Sequence, residues 1–219
     1  MKPPNKYFYS RISGCMERKR NTKDIRKILI VCEGEKTEPN YFKAFPRSAE
    51  CVVVIEPAGM VAESVVDRAI ELRDDAEKQG NKYSGVWCVF DRDSNPRGNF
   101  NTALQVAASE GIKVAYSVEA FEIWYLLHFE YYNTGISREQ YKEKLEGHLA
   151  TEAGNGYKYE KNSSDMYKLL RRYQKRAIDK ARQLLAEYDN SVGKIYDNNP
   201  STTVHLLVQV LNEYLGIKL

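Results

Sequence analysis

The sequence predicts an α/β fold: a mainly parallel sheet flanked by helices, followed by a C-terminal helical extension. Three observations predict it. Unbroken apolar runs at residues 28–31, 52–55 and 86–90 suit strands buried on both faces, as in a parallel sheet covered by helices on either side. Stretches with helical spacing lie between them, giving the order β-α-β-α-β-α-β. From residue 131 onward strong strand runs cease and helical patterns take over.

Taken in order, residues 1–26 are polar and basic and read as an arm. Residues 27–33 form the first strand. It stops at Glu33-Gly34, where glycine allows a turn that a Cβ would obstruct. Thr37 is the expected cap of the next helix, with Pro39 in its first turn and the helix running to about Phe45. Residues 51–56 make a second strand. Val61, Val65, Ala69 and Leu72 then mark one face of an amphipathic helix that ends before Gly80. The third strand, 85–91, closes on Asp91-Arg92-Asp93. Residues 99–110 are helical up to Gly111, and residues 112–117 are the fourth strand.

Residues 119–130 form a helix that is apolar almost all round and therefore buried. Glu122 sits inside it, and a buried carboxylate is costly unless it is paired or bound to a cation. That makes Glu122 a site candidate, against the plainer reading of a structural ion pair with a nearby Lys or Arg. His128 reads as a packed, hydrogen-bonded histidine. Residues 137–149 are helical and 151–161 a loop. Ser163 or Ser164 caps one long helix whose polar side carries Lys168, Arg171, Arg172, Lys175, Arg176, Lys180 and Arg182. These cations either grip phosphates or make a solvated face. Asn199 as N-cap and Pro200 at the first position start the last helix, which Gly216 ends, and His205 falls at the boundary of its apolar stripe.

The organisation is thus a basic arm (1–26), an α/β core (27–130) and a helical extension packed on it (131–219). A chain of 219 residues is long enough to bury about 70% of its unfolded surface without disulfides. No apolar stretch approaches the ~20 residues of a membrane span, and the N-terminus has no apolar signal core, so a cytoplasmic protein is expected with no membrane partner. Cys15, Cys32, Cys51 and Cys88 include no Cys-x-x-Cys pair, so no zinc site is expected. Cys32, Cys51 and Cys88 read as small buried hydrophobes. Net charge is +3, but residues 1–27 hold nine Lys or Arg against Glu17 and Asp24. The arm is either an electrostatic footprint for nucleic acid or an acidic protein surface, or a solubilising terminus.

The chemistry concentrates where two buried strands end in acids. Asp91 and Asp93 point the same way by strand alternation and suit direct or water-mediated cation ligation. Glu33, from the first strand, either completes that set or serves as general acid/base. Hard oxygen donors of this kind favour Mg2+ (or Mn2+), which beside a phosphate neutralises developing charge and activates water. Lys36 and Arg92 are candidates to steady the substrate's phosphates. An Asp-x-Asp alone is a weak signal, since such acids often cap turns. Paired with Glu-Gly it is moderate. There is no Gly-x-x-x-x-Gly-Lys-Ser/Thr phosphate loop, which disfavours a small-molecule phosphotransferase.

The Glu33-Gly34 and Asp91-x-Asp93 pair resembles the Toprim fold of topoisomerases, primases of the DnaG type and OLD-family nucleases. More closely, the chain resembles the RloB family of prokaryotic mobile-defence loci. The likeness rests on Ile-Leu-Ile-Val-Cys-Glu-Gly-Glu-Lys-Thr-Glu-Pro-Asn-Tyr-Phe at 28–42, Val-Phe-Asp-Arg-Asp at 89–93, Phe-Glu-Ile-Trp-Tyr-Leu-Leu-His-Phe at 121–129 and Asn-Pro-Ser-Thr-Thr-Val-His at 199–205. Where the family carries Asn-Pro before Phe-Glu, this chain has Val118-Glu119-Ala120. The resemblance implies Glu33 as acid/base with Asp91 and Asp93 holding magnesium, and it matches Glu122. It further implies a Toprim-type nuclease in anti-phage defence of the abortive-infection kind, acting on RNA (tRNA included) or DNA beside an ATPase partner. The alternative is a non-catalytic partner subunit of a defence ATPase that binds nucleic acid or protein.

Overall fold

The computed structural model describes residues 25–59, 61–92, 95–154 and 156–219. The basic arm up to residue 24, Cys15 and the site candidate Asp93 lie outside the described residues. Five strands form one sheet in the order β2-β1-β3-β4-β5. They are β1 (Arg26–Cys32), β2 (Cys51–Pro57), β3 (Gly85–Asp91), β4 (Lys113–Val118) and the short β5 (Ser201–Thr202). The first four are mutually parallel, and β5 runs antiparallel to β4.

Period-two alternation sorts the strand side chains between two cores. Ile28, Ile30, Cys32, Trp87 and Val89 face one layer. Leu29, Val31, Val86, Cys88 and Phe90 face the other. The second layer is built by α2 (Ala62–Lys78), α3 (Arg97–Ser109) and α8 (Val192–Ile195). On the first side lie α1 (Thr37–Lys43), α4 (Glu122–Leu126), α5 (Arg138–Ala153), α6 (Met166–Leu170), α7 (Gln174–Ala186) and α9 (Val204–Leu215). Residues 28–32 are fully buried, and each large side chain contributes about 1.5–3 kcal/mol of hydrophobic stabilisation. The expected buried cysteines Cys32, Cys51 and Cys88 are buried and free.

Three expectations for the C-terminal half are corrected. The single long basic helix is broken: α6 and α7 are separated by a 3-10 turn at Arg171–Tyr173. The two parts answer to different neighbours. Tyr167 of α6 packs on Phe45 and Tyr41 beside α1, whereas Gln174 of α7 accepts a buried 2.8 Å hydrogen bond from Asn212 of α9. Likewise Pro200 does not open the last helix. Ser201 and Thr202 pair with Val118 and Ser117 of β4, and α9 begins at Val204, whose N–H donates to Thr202 Oγ1 at 3.2 Å. A two-residue strand carries no periodicity to read. His205, expected at a boundary, is buried because α9 is covered by both α7 and β4.

Candidate functional site

Parallel strands β1 and β3 are neighbours although α1, β2 and α2 separate them in sequence. β2 lies beyond β1 on one side and β4 beyond β3 on the other, so the β1/β3 junction is where the chain changes direction across the sheet. Clefts at such points, outside the carboxyl ends of the strands, are the usual ligand sites of open α/β sheets. Glu33 follows β1 and Asp91 ends β3, which places both there.

Glu33 is held on every side. Its N–H donates to Val89 O at 2.8 Å and its carbonyl accepts from Gly59 N at 3.0 Å. Its Oε2 accepts from Asp91 N at 2.9 Å, and its Oε1 from Asn95 Nδ2 at 2.9 Å. Asn95 is itself buried and fixed, accepting from Ala62 N at 2.8 Å and donating to Asp91 O at 2.6 Å. Asp91 Oδ2 accepts from Phe121 N at 2.9 Å. Among the described residues nothing donates to the buried Asp91 Oδ1. Glu122 is 4% exposed and accepts from Tyr159 OH at 2.9 Å. A fourth acid, Glu38 of α1, is 5% exposed and crosses the turn at Gly34, where a Cβ would stand 2.1 Å from Glu38 Oε2. The glycine is needed for this close approach.

Glu33, Glu38, Asp91 and Glu122, with Glu35 as a further acid, line one open cleft of 340 Å³, together with Lys36, Arg138 and Lys161. Burial and neighbouring carboxylates raise the proton affinity of Asp91 and Glu38. Burial pushes the Asp91 carboxyl well above its ordinary range, and Glu38, Glu122 and Glu33 add to the effect. Glu38 is pushed up to about 7, mostly by burial, with Glu122 and Glu33 contributing. Burial raises Glu33 too, against the opposing hydrogen bonds from Asp91 and Asn95. Gathering carboxylates in a desolvated wall at this cost is the arrangement a cation relieves.

The donors fit a hard divalent ion: carboxylate oxygens, one of them buried without a donor. Among the described residues no three acids, histidines or cysteines converge as a finished ligand cage. One or two carboxylates would hold the ion, with water or phosphate oxygens completing its sphere, as magnesium prefers.

The structure therefore brings together Glu33, Asp91, Glu122 and Lys36 of the sequence candidates, while Asp93 lies outside the described residues. Arg92 lies elsewhere. Its guanidinium pairs with Glu119 and sits 5.3 Å from the centre of the Tyr196 ring. Sequence reasoning missed Glu38, Asn95, Arg138, Tyr159 and Lys161. Glu38 had a usable signal, an acid placed at the start of a helix just after a Glu-Gly turn. Tyr159 and Lys161 come from a loop without pattern, held over the site by bonds from Thr37 Oγ1 to Lys161 O (2.8 Å) and from Asn40 Nδ2 to Asn162 O (2.9 Å). His128, as expected, is buried with Nδ1 2.8 Å from Trp124 O, outside the cleft.

Among the described residues no helix is long and apolar enough to cross a membrane. Neither the curated proteins nor the solved structures yield a match to this sequence. Comparison with known families matches residues 28–211 to the RloB-like protein family, an interval that contains every acid of the cleft. The chain belongs to the RloB-like family.

Proposed function

We propose that this protein is a metal-dependent nuclease of the Toprim type, hydrolysing phosphodiester bonds in RNA or DNA. The observation that carries the reading is the set of buried carboxylates at the β1/β3 switch point, with Asp91 Oδ1 lacking a donor among the described residues. Bound Mg2+ or Mn2+ would supply Lewis acidity toward the phosphate and lower the pKa of a water ligand. Asp91 is the principal candidate to hold it, with Asp93 beside it in sequence.

Glu33 is immobilised by Asn95 and the Asp91 N–H, which suits a general acid/base that must meet its proton in one geometry. Glu35, Glu38 and Glu122 form the remaining acidic wall. Lys36, Arg138 and Lys161 ring the acids and supply positive charge for the phosphates flanking the scissile bond. The proposal includes the setting that the resemblance implies, anti-phage defence beside an ATPase partner.

The test is a cleavage screen of tRNA, other RNA and single- and double-stranded DNA with Mg2+ and Mn2+, using wild type, Glu33→Gln and Asp91→Asn. Wild type should cut, and each variant should lose at least about 100-fold while melting like wild type. Equal cutting by all three refutes the assignment. Cation binding without cleavage of any substrate favours the partner-subunit reading.

A further inference from the structure

Away from the acids lies a second cleft of 300 Å³, lined by Lys168, Arg171, Arg172, Lys175, Lys218 and Leu219 among others, and no acidic side chain lines it. Its cations come from two parts of the chain: α6, the 3-10 turn and the start of α7, and the tail after α9. Arg172 is paired with Glu152. Lys168, Arg171, Lys175 and Lys218 are exposed and have no ion pair among the described residues. The acids that flank the cations of α6 and α7 in sequence are engaged elsewhere, Asp165 by Tyr157 OH at 3.0 Å and Asp179 by Arg182 at 3.8 Å.

An ordinary solvated helix face looks different in this same molecule. On α2, Arg68 pairs with Glu56 and Glu71, Arg73 with Asp74 and Glu110, and Lys78 with Asp75. Unpaired like charges gathered on one concavity repel one another and are relieved by a polyanion.

The cleft's place in the fold is also specific. The tail follows α9, whose Tyr214 ring carries the Arg26 guanidinium at 4.5 Å, and Arg26 begins β1. The cations therefore lie toward the opening end of the seven-residue strand whose closing end leads to Glu33. The strand itself spans about 20 Å. Between the two, α6 packs along α1, and Lys161 on the rim of the acidic cleft lies just upstream of Lys168.

We propose that this basic cleft binds the phosphate backbone of nucleic acid, as an anchor remote from the carboxylates. That the anchored strand is also the one cut rests on the nuclease reading; binding itself does not.

The experiment is fluorescence anisotropy of the full chain in excess EDTA, across a salt series, with labelled long RNA and DNA duplexes of about 20 base pairs. The test variant is Lys168→Glu/Arg171→Glu/Lys175→Glu, with Lys168→Gln/Arg171→Gln/Lys175→Gln if charge reversal disturbs the melt. Lys78→Glu/Lys82→Glu/Lys113→Glu removes equal charge elsewhere. For the long duplex the cleft variant should bind at least about 10-fold more weakly, with a salt slope flatter by about 2–3, and the control should change less than about 3-fold. Affinity and slope like wild type, or an equal loss in the control, overturns the anchor. Competition by polyglutamate as strong as by unlabelled duplex assigns the cleft to acidic protein and overturns it too. Wild type that cuts while the cleft variant binds unchanged sinks the anchor alone, whereas binding through the cleft with no cutting sinks the nuclease reading alone.

Discussion

Gly34→Ala separates the candidate site from the fold more sharply than removal of any acid. A Cβ at this position would stand 2.1 Å from Glu38 Oε2, 2.8 Å from its Cδ and 2.9 Å from its Oε1. Ordinary contacts between non-bonded heavy atoms begin near 3.5 Å, so the carboxyl must retreat by about 1 Å or more. Gly34 is not in the left-handed region, so the backbone tolerates alanine. The displaced atoms are the tip of a flexible side chain bordering an open cleft. Its rotamer cost of about 1 kcal/mol is offset in part by the smaller backbone entropy of unfolded alanine. The melting temperature should therefore stay within about 3 °C of wild type. A reacting or ligating group misplaced by about 1 Å costs on the order of 100-fold, and that is the expected loss of cleavage. Mn2+ affinity by calorimetry should fall about 10-fold or more if Glu38 contributes to cation binding. In Gly34→Ala/Glu38→Gln the two losses should fail to add, since both act through one carboxyl. Gly34→Ala with wild-type cleavage and Mn2+ affinity would refute the reasoning, because Glu38 would then have no part in the site.

Other outcomes follow from single contacts. Asn95→Asp sets a further charge against Glu33 and should abolish cleavage while lowering stability by about 2–4 kcal/mol in urea melts at pH 8. Tyr159→Phe leaves Glu122 Oε1 without its 2.9 Å donor and should cost about 1–3 kcal/mol; unchanged stability would mean that water already serves that oxygen. Burial lowers His128 to about 3 and His205 to about 4. Each stays neutral in the fold but takes a proton near pH 6.5 once unfolded, so their contribution is complete above pH 6.5 and is lost as pH falls toward 4. His205 alone accounts for about 3 kcal/mol over that window, and His205→Gln should flatten the pH dependence of urea midpoints. Mn2+ binding at pH 7 should release protons, because Glu38 and Asp91 hold theirs more tightly than usual; identical binding enthalpies in buffers of different ionisation heat would contradict this.

The parallel sheet was legible because runs such as residues 28–31 and 86–90 are apolar on both faces, and only a doubly covered strand tolerates that. Glu33, Asp91 and Glu122 were legible for a related reason: each is an acid at the end of, or inside, an apolar segment. Glu38 escaped because its burial comes from a turn that folds back over Gly34, which periodicity does not express. Asn95, Tyr159 and Lys161 escaped because their roles are long-range contacts from irregular backbone. The break in the basic helix was hidden as well, since residues 166–186 keep a helical pattern through the turn and only packing against α1 and α9 decides where the axis changes.

The loop that carries Tyr159 and Lys161 over the cleft has a consequence for how the protein comes into being. Synthesis proceeds from the N-terminus, and early segments fold while later ones are still being made. When β1, β3 and α4 have emerged, Glu33, Asp91 and Glu122 can assemble, but Tyr159 and the cation Lys161 do not yet exist, nor do β5 and α9 beside β4. A nascent chain therefore carries an acidic hollow without its lid residues, and a truncated product stays in that condition. On the proposed nuclease reading, translation itself delays the finished cleft until most of the polypeptide has been made.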